Sequence, residues 1–522
     1  MKIPLTPVRC LHRAIDLYGA KTGVVCGSQR FTYAEFGRRC QQLASALTRA
    51  GIKSGDRVGF LSFNTHRLLE GYFGVPQAHA MVMPLNVRLT PPELGAILQH
   101  AEPAILFYEN DFAPGIDFLR KACPSMRTLN LDTEFEDFLS TGTPERANIL
   151  TYDEDSIAEL FYTSGSTGTP KGVMLSHRTV YMHAMAVAGV FATDDNAVEL
   201  HTIPLFHANG WGRPQTSTMM GNKQVMVRRF DPATVCRLVQ DEGATSMSLV
   251  PTMAGAMLMF HDLDKFNLST LRQINIGGAA SSPDLIRRME LAFHCEVLAG
   301  YGLTETSPVA ASSRAKGTVK YADDHDRYRH QAMAGWPLAG TELRVVDPEM
   351  RDVARDMTTI GEVVILGDNV MDGYYKDPEG TASVMSGPWL HSGDMAVWDT
   401  EGFVQIVDRK KDIIISGGEN ISSIEVENTL AAHPAVAEAA VVGAPDSLWG
   451  EIPVAFVVPR PGQSVTEQEL AEFALTRLAK FKLPRRYIFS ADALPKGGTG
   501  KILKRELREQ FWQGKDRRVQ GG

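Results

Sequence analysis

Between Tyr162 and His177 the chain reads YTSGSTGTPKGVMLSH. Thr163, Ser164, Gly165, Ser166, Thr167, Gly168 and Thr169 offer hydroxyl donors and unhindered backbone N–H groups, and Lys171 adds a positive charge. Phosphate oxygens accept many hydrogen bonds in a small volume, so this is a set that can hold them. Fixing so many small residues costs conformational entropy that a ligand would have to offset. A flexible Ser/Gly/Thr linker has the same composition. This run, however, lies between two apolar, strand-like segments, Ile157–Phe161 and Gly172–Leu175, and ends in Pro-Lys-Gly. It also differs from a Walker A loop: Pro170 precedes the lysine, the segment after it reads as extended, and a helix starts only after Ser176. A phosphotransferase of that type, releasing ADP, is the weaker reading.

Further along stand GYGLTETSP from Gly300, Ser392-Gly-Asp394, DRKKD from Asp408, GGEN from Gly417 and PKGGTGK ending at Lys501. Each has a bland reading alone: a polar loop, a common turn tripeptide, a solvated charged turn, an exposed lysine in a basic tail. In this order behind the Ser/Gly/Thr loop, they resemble the motifs of the adenylate-forming enzymes. That group contains acyl-CoA synthetases, peptide-synthetase adenylation domains and firefly luciferase, and the likeness extends from about Tyr162 to Lys501. The bacterial medium- and long-chain fatty acyl-CoA synthetases are the most similar branch.

The resemblance implies an acid:CoA ligase using ATP, Mg²⁺ and coenzyme A, and it supplies roles. The loop from Thr163 to Gly168 with Lys171 would hold the phosphates. Glu305 would hold Mg²⁺, an oxygen-loving ion commonly bound by one or two carboxylates plus phosphates. Thr304 would hydrogen-bond the α-phosphate, Tyr301 would lie against the adenine, and Gly302 would sit beside the acyl group. Asp394 would accept both ribose hydroxyls, assisted by Arg409. Lys501 would stabilise charge that develops during adenylation. The small C-terminal domain would then rotate about Lys411, withdrawing Lys501 and letting Gly417 and Gly418 line a passage for the pantetheine arm. A binder without turnover would need neither Glu305 nor Lys501.

The segment Pro204-Leu-Phe-His-Ala-Asn-Gly-Trp211 is similar to the His-x-Asn-x-Trp stretch of fatty acyl-CoA synthetases, differing from the HVNAW form at two small residues. There the histidine, here His207, helps order the site and the tryptophan, here Trp211, gates an acyl tunnel. The aspartate that pairs the amino group in peptide-synthetase domains has no counterpart in this segment, and an unpaired buried amine is costly, which disfavours an amino-acid substrate. Gly277, Gly278, Ala279 and Ala280 would leave room beside adenine and acyl group. A medium to long aliphatic acid is expected; an aryl acid of cinnamate or benzoate type fits an apolar slot as well. Transfer to a carrier protein in place of CoA is a further alternative.

These groups need rigid elements to hold them. At 522 residues, 44% hydrophobic and 22% charged, the chain can build more than one core. Helix and strand signals alternate throughout, predicting an α/β architecture: a large N-terminal domain of helix-covered sheets over 1–408 and a small, mobile C-terminal α/β domain over 409–522. Capping-box spacing marks helix starts at Thr32, Thr90 and Thr466, the last expected to bear Leu470, Phe473, Leu478 and Phe481 on one helix. Strands are predicted at Arg57–Leu61, Ile105–Tyr108, Phe403–Val407 and Ile413–Ile415. The charged run Asp408–Asp412 is expected at a surface or junction.

A net charge of -8 argues against nucleic acid as a partner. The six cysteines are far apart, with no metal-ligand spacing. Neither a signal-peptide pattern nor a run of transmembrane length is present, so a cytoplasmic enzyme is expected. A homodimer is compatible with the family, though no residue marks an interface.

Overall fold

The computed structural model describes residues 2–163, 170–410, 412–416, 419–446, 448–496 and 502–512, the side chains of Asn209, Glu419 and Asn420 excepted. By compactness the chain forms two units: Met1–Leu343 with Ile365–His391, and Arg344–Val364 with Ser392–Gly522. The architecture is α/β, as the alternating signals predict.

The first unit contains two large sheets. One has nine strands in the order Trp336–Pro337, Val309–Ser312, Glu296–Gly302, Gln273–Ile276, Ser246–Leu249, Val198–His201, Lys223–Met226, Thr22–Cys26 and Gln29–Thr32. Its six inner strands are parallel, which requires both faces to be covered. On one face Leu200, Met247, Leu249, Ile274 and Ile276 enter an apolar core. The opposite face carries the alternate residues, and these include Glu199, His201, Ser246, Ser248 and Asn275.

The other sheet runs Gly373–Tyr374, Lys171–Ser176, Ile157–Thr163, Met81–Pro84, Arg57–Leu61, Ile105–Tyr108 and Arg127–Asn130. Helix Tyr33–Arg49, started by a complete capping box between Thr32 and Glu35, buries Phe36, Cys40, Leu43 and Leu47 in the core that also holds Phe60, Phe73 and Phe107. Phe36 meets Phe73 edge-on at 5.9 Å. Removing a side chain of this size from water stabilises the fold by about 2–3 kcal/mol.

In the second unit a sheet of Glu419–Ile421, Ile414–Ser416, Gly450–Pro459, Val436–Asp446 and Arg486–Phe489 is covered on one side by helices Ser423–Ala431 and Glu467–Leu475 and on the other by helix Lys504–Trp512. The helix capped by Thr466 ends at Leu475, less than two turns short of the expected pattern's reach, so Leu478 and Phe481 lie beyond it. Ala474, not a more distant residue, completes its buried face, and Phe481 is exposed on a separate turn.

Within the run expected at a surface or junction Lys410 is exposed, but Asp408 is not. Asp408 is only 1% exposed; it accepts N–H bonds from Ser423 at 2.6 Å and from Arg409 at 2.8 Å. Those donors offset the cost of burying a carboxylate, although burial still pushes its pKa up. Asp412 pairs with Arg508 at 2.9 Å, and Lys410 with Glu362 at 3.1 Å. All six cysteines are free. Among the described residues no helix is long and apolar enough to cross a membrane.

Candidate active site

Strands Ile157–Thr163 and Lys171–Ser176 pair antiparallel, with Thr163 directly opposite Lys171. The strands on either side of the Ser/Gly/Thr run are therefore fixed by a sheet. Its own residues, including Ser164, Gly165, Ser166, Thr167 and Gly168, lie outside the described residues. Beyond the second arm, Gly373–Tyr374 adds as the edge strand, pairing Tyr374 with Val173.

That edge strand connects two motifs far apart in sequence. Nζ of Lys171 stands 4.3 Å from the centre of the Tyr374 ring and 3.9 Å from Asp377. The Tyr374 hydroxyl donates to Oε1 of Glu305 at 2.8 Å. Burial, then the neighbouring Glu305 carboxylate, hold the Tyr374 phenol far above its ordinary pKa, so it remains a donor.

Glu305 lies on the turn Thr304–Thr306, which follows strand Glu296–Gly302. The turn is fastened from several sides. Thr306 Oγ1 accepts from the Leu303 N–H at 3.0 Å, Asn369 Nδ2 donates to the Thr306 carbonyl at 3.1 Å, and Ser307 Oγ donates to the Asn369 carbonyl at 2.9 Å. The N–H of Met371 donates to the Glu305 carbonyl at 2.9 Å. Gly302 is required by space, since a Cβ there would lie 1.6 Å from the Pro308 oxygen. Tyr301, two residues past the buried Ala299, is partly exposed at the end of the same strand, and Thr304 is buried.

Strand Gln273–Ile276 ends at Gly277, Gly278, Ala279 and Ala280. The indole of Trp211 packs there: a Cβ on Gly277 would meet it at 3.2 Å and one on Gly278 at 3.7 Å. Around the indole lie Val187, Val190, Val309 and Leu338. The backbone is left-handed at Ala208, Gly210, Trp211 and Gly212 (φ 39°, 47°, 64° and 71°). Left-handed φ at a tryptophan is uncommon and marks local strain. His207 precedes this stretch and caps the segment Ala208–Met220. The approach to His207 is held by Asn64, whose Nδ2 donates to the carbonyls of His201 and Ile203, both at 2.9 Å, while its Oδ1 accepts from the Leu205 N–H at 2.7 Å. Buried His183 accepts from the Val309 N–H at 3.1 Å; burial lowers its pKa to about 3, so the ring is neutral.

In the second unit Asp394 and Arg409 are opposite one another across the hairpin of Trp389–Trp398 and Val404–Arg409, with Arg409 Nε 2.7 Å from Asp394 Oδ1. Ser392 Oγ accepts from the Asp394 N–H at 3.0 Å and donates to the Val363 carbonyl at 2.6 Å. Asp394 is 3% exposed. Lys411, Gly417, Gly418 and Lys501 lie outside the described residues.

The residues fit the expected Mg²⁺ in kind. Glu305 brings one carboxylate, linked through Tyr374 to Lys171, and a lone carboxylate suits an ion that takes most of its oxygens from phosphates and water. Its Oε1 is committed to Tyr374, which orients the group. Tyr374, Asn64 and Asn369 are site residues that motif reading missed; the sole sequence signal was Gly373-Tyr374 ahead of Pro378, a strand-and-turn pattern without chemistry of its own.

The α/β fold, the paired strands that flank the Ser/Gly/Thr run and the acidic turn at Glu305 agree with a nucleotide-dependent acid-activating enzyme. The chain belongs to the AMP-binding enzyme family, which it matches over residues 11–375, and it matches that family's C-terminal domain over 425–501. It is an ATP-dependent acyl-CoA ligase. A "Long-chain-fatty-acid--CoA ligase" of Thermus thermophilus is 39% identical over 517 residues, spanning 96% of this chain and 94% of that protein. Among solved structures, an anthranilate CoA ligase in complex with anthranoyl-AMP superposes with a TM-score of 0.89 at 26% identity, covering 98% of each chain. ATP-bound MatB from Rhodopseudomonas palustris gives a TM-score of 0.87 at 28% identity, covering 98% of this chain and 99% of that one.

Proposed function

We propose that the protein joins an aliphatic carboxylic acid of medium to long chain to coenzyme A in the cytoplasm, by way of an acyl-adenylate, releasing AMP and pyrophosphate. The observation that carries this reading is the connection Lys171–Tyr374–Glu305, which links a cation, a hydroxyl and a carboxylate at the strand that follows the Ser/Gly/Thr run.

In the first step a carboxylate oxygen attacks the α-phosphorus of ATP, an O–P bond forms, and the bond to the pyrophosphate oxygen breaks. Both reactants are anions, so the site must neutralise charge and align them. Lys171 and the amides of that run hold the β- and γ-phosphates, and Thr304 donates to the α-phosphate. Glu305, oriented by Tyr374, would hold Mg²⁺, which when bound would lower the charge repulsion between the phosphates. Asp394 with Arg409 holds the ribose. Lys501 donates to the oxygens on which charge grows as pyrophosphate departs. In the second step the CoA thiolate attacks the acyl carbon and AMP leaves with the electron pair. The small domain, residues 409–522, moves between the two steps about Lys411, bringing Gly417 and Gly418 to the thiol's path. His207 and Trp211 order and close the acyl side, where the apolar lining around Trp211 supports a hydrocarbon next to the carboxylate.

Acid-dependent exchange of labelled pyrophosphate into ATP tests the reading. Exchange with aliphatic acids and formation of their CoA thioesters are expected; folded protein that gives no exchange with any aliphatic or aryl acid overturns it. Aryl acids in the same panel, and a phosphopantetheine carrier offered in place of CoA, separate the alternatives.

A further inference from the structure

Segment Ala208–Met220 crosses the polar face of the nine-stranded sheet, and its two contacts with that face differ in kind. Trp211 touches Gly277 and Gly278 at the strand ends. Arg213, two residues on, reaches toward the strand starts. Its Nη2 donates to Glu199 and lies 3.4 Å from Ser246 Oγ, and Ser246 Oγ donates to the same carboxylate. The guanidinium carbon is 5.1 Å from the centre of the Phe191 ring, and Phe191, like Trp211, packs on the apolar cluster of Val187 and Val190.

Arg213 is 3% exposed, yet its Nε and Nη1 have no hydrogen-bond partner among the described residues. Asn275 is 4% exposed, and neither its Oδ1 nor its Nδ2 has one. Residues alternate along a strand, so Asn275 shares the face of Gly277. Ser246 is registered with Gln273, four residues before Gly277 on the same face, which is about 13 Å along the strand at ~3.3 Å per residue. An acyl chain running along this face from beside Trp211 would pass the amide of Asn275 and then reach the strand position of Ser246, whose hydroxyl lies against Arg213. Buried donors left unpaired are expensive, which makes the guanidinium edge a selective one.

We infer that Arg213, supported by Glu199 and Ser246, recognises a neutral hydrogen-bond acceptor (a hydroxyl, keto or amide oxygen) at the far end of a medium-length aliphatic acid. Because Glu199 already neutralises Arg213, a second carboxylate would bring an uncompensated charge into the interior and is rejected. This inference rests on the acid:CoA ligase reading above and names the substrate class of that same site.

The test compares kcat/KM of the intact enzyme for hydroxyl-ended, methyl-ended and carboxylate-ended straight acids of six, eight and ten carbons. At one of these lengths the hydroxyl-ended acid is expected to be preferred at least tenfold over its methyl-ended counterpart, with the dicarboxylate poorest. In the double variant Arg213→Leu, Glu199→Leu, which removes both charges together, the preference is expected to invert. Equal or better use of the methyl-ended acid by the unaltered enzyme at every length overturns the assignment and leaves the pair a structural one; this arm needs no variant, so misfolding of the double variant does not blunt it. Absence of pyrophosphate exchange with every acid instead defeats the ligase reading itself, and exchange confined to methyl-ended acids defeats only the role of Arg213.

Discussion

The hydroxyl of Tyr374 donates a 2.8 Å hydrogen bond to Glu305 while the ring of the same residue lies under Lys171, 4.3 Å from its ammonium. One side chain thus touches both the acidic turn and the strand that follows the Ser/Gly/Thr run. Tyr374→Phe keeps the ring and loses the donor. A hydrogen bond to a charged group contributes about 1.5–3 kcal/mol, so the rate of pyrophosphate exchange should fall roughly ten- to a hundredfold. The Mg²⁺ concentration for half-maximal exchange should rise while the melting temperature changes little. Unchanged Mg²⁺ dependence would show that Tyr374 does not orient Glu305.

Lys501→Ala should abolish acid-dependent exchange and leave thioester formation from supplied acyl-AMP largely intact. The two half-reactions are measured separately, and equal loss of both contradicts the role given to Lys501.

Asp394→Ala removes the partner of Arg409 and the acceptor proposed for the ribose hydroxyls. KM for ATP should rise by one to two orders of magnitude, in line with losing charge-assisted hydrogen bonds of about 1.5–3 kcal/mol. The loss should be much smaller with 2′,3′-dideoxy-ATP, which has no diol to lose; a loss of the same size with both nucleotides would mean that Asp394 serves Arg409 alone.

Stability should decline on mild acidification. Burial lowers His177 and His183 to about 3, so the folded protein keeps them neutral at pH values where the unfolded chain protonates them. Folded pKa values below the unfolded one mean that the unfolded state binds more protons, and stability is lost as pH falls below about 6.5. Each such histidine should cost about 1 kcal/mol between pH 6.5 and 5.5. Urea unfolding at the two pH values measures this, and His183→Gln should flatten the slope by that amount.

Gly302→Ala should cripple the acidic turn without touching a charged group. The added methyl carbon meets the Pro308 carbonyl oxygen at 1.6 Å, so the backbone must move. A loss of roughly 2 kcal/mol or more in unfolding free energy is expected, with activity falling further than stability. An unaltered melting curve would mean the turn relaxes freely and that Gly302 matters only beside the substrate.

Much of the local fold could be read from the chain because its causes are local. Thr32 and Glu35, and Thr466 and Glu469, are three apart and close capping boxes where the spacing predicts them. Strand Arg57–Leu61 follows its own apolar pattern. Leu478 and Phe481 were misjudged because helical spacing continues past Leu475 although the helix does not. The burial of Asp408 within its charged run is not legible in the sequence, because its compensating donor, the Ser423 N–H, belongs to a helix start fifteen residues away. In the site, motif residues announced themselves by type, whereas Tyr374, Asn64 and Arg213 act through partners 69, 137 to 141 and 14 residues distant. Aromatic, amide and arginine residues of that kind are indistinguishable from core or surface ones until the pairing is known.

The run from Asp408 to Asp412 has a mechanical consequence. Its members are tied in both directions: Arg409 and Lys410 to Asp394 and Glu362 earlier in the chain, Asp408 and Asp412 to Ser423 and Arg508 later in it. Were the chain to swivel at Lys411, as proposed, the ion pairs of Arg409 and Lys410 would stay with the part before the pivot and that of Asp412 with the part after it, whereas the bond from the Ser423 N–H to Asp408 would cross it. That bond is shut away from water, where dissolved ions screen little, so thioester formation should respond to ionic strength no more steeply than the adenylating half-reaction does.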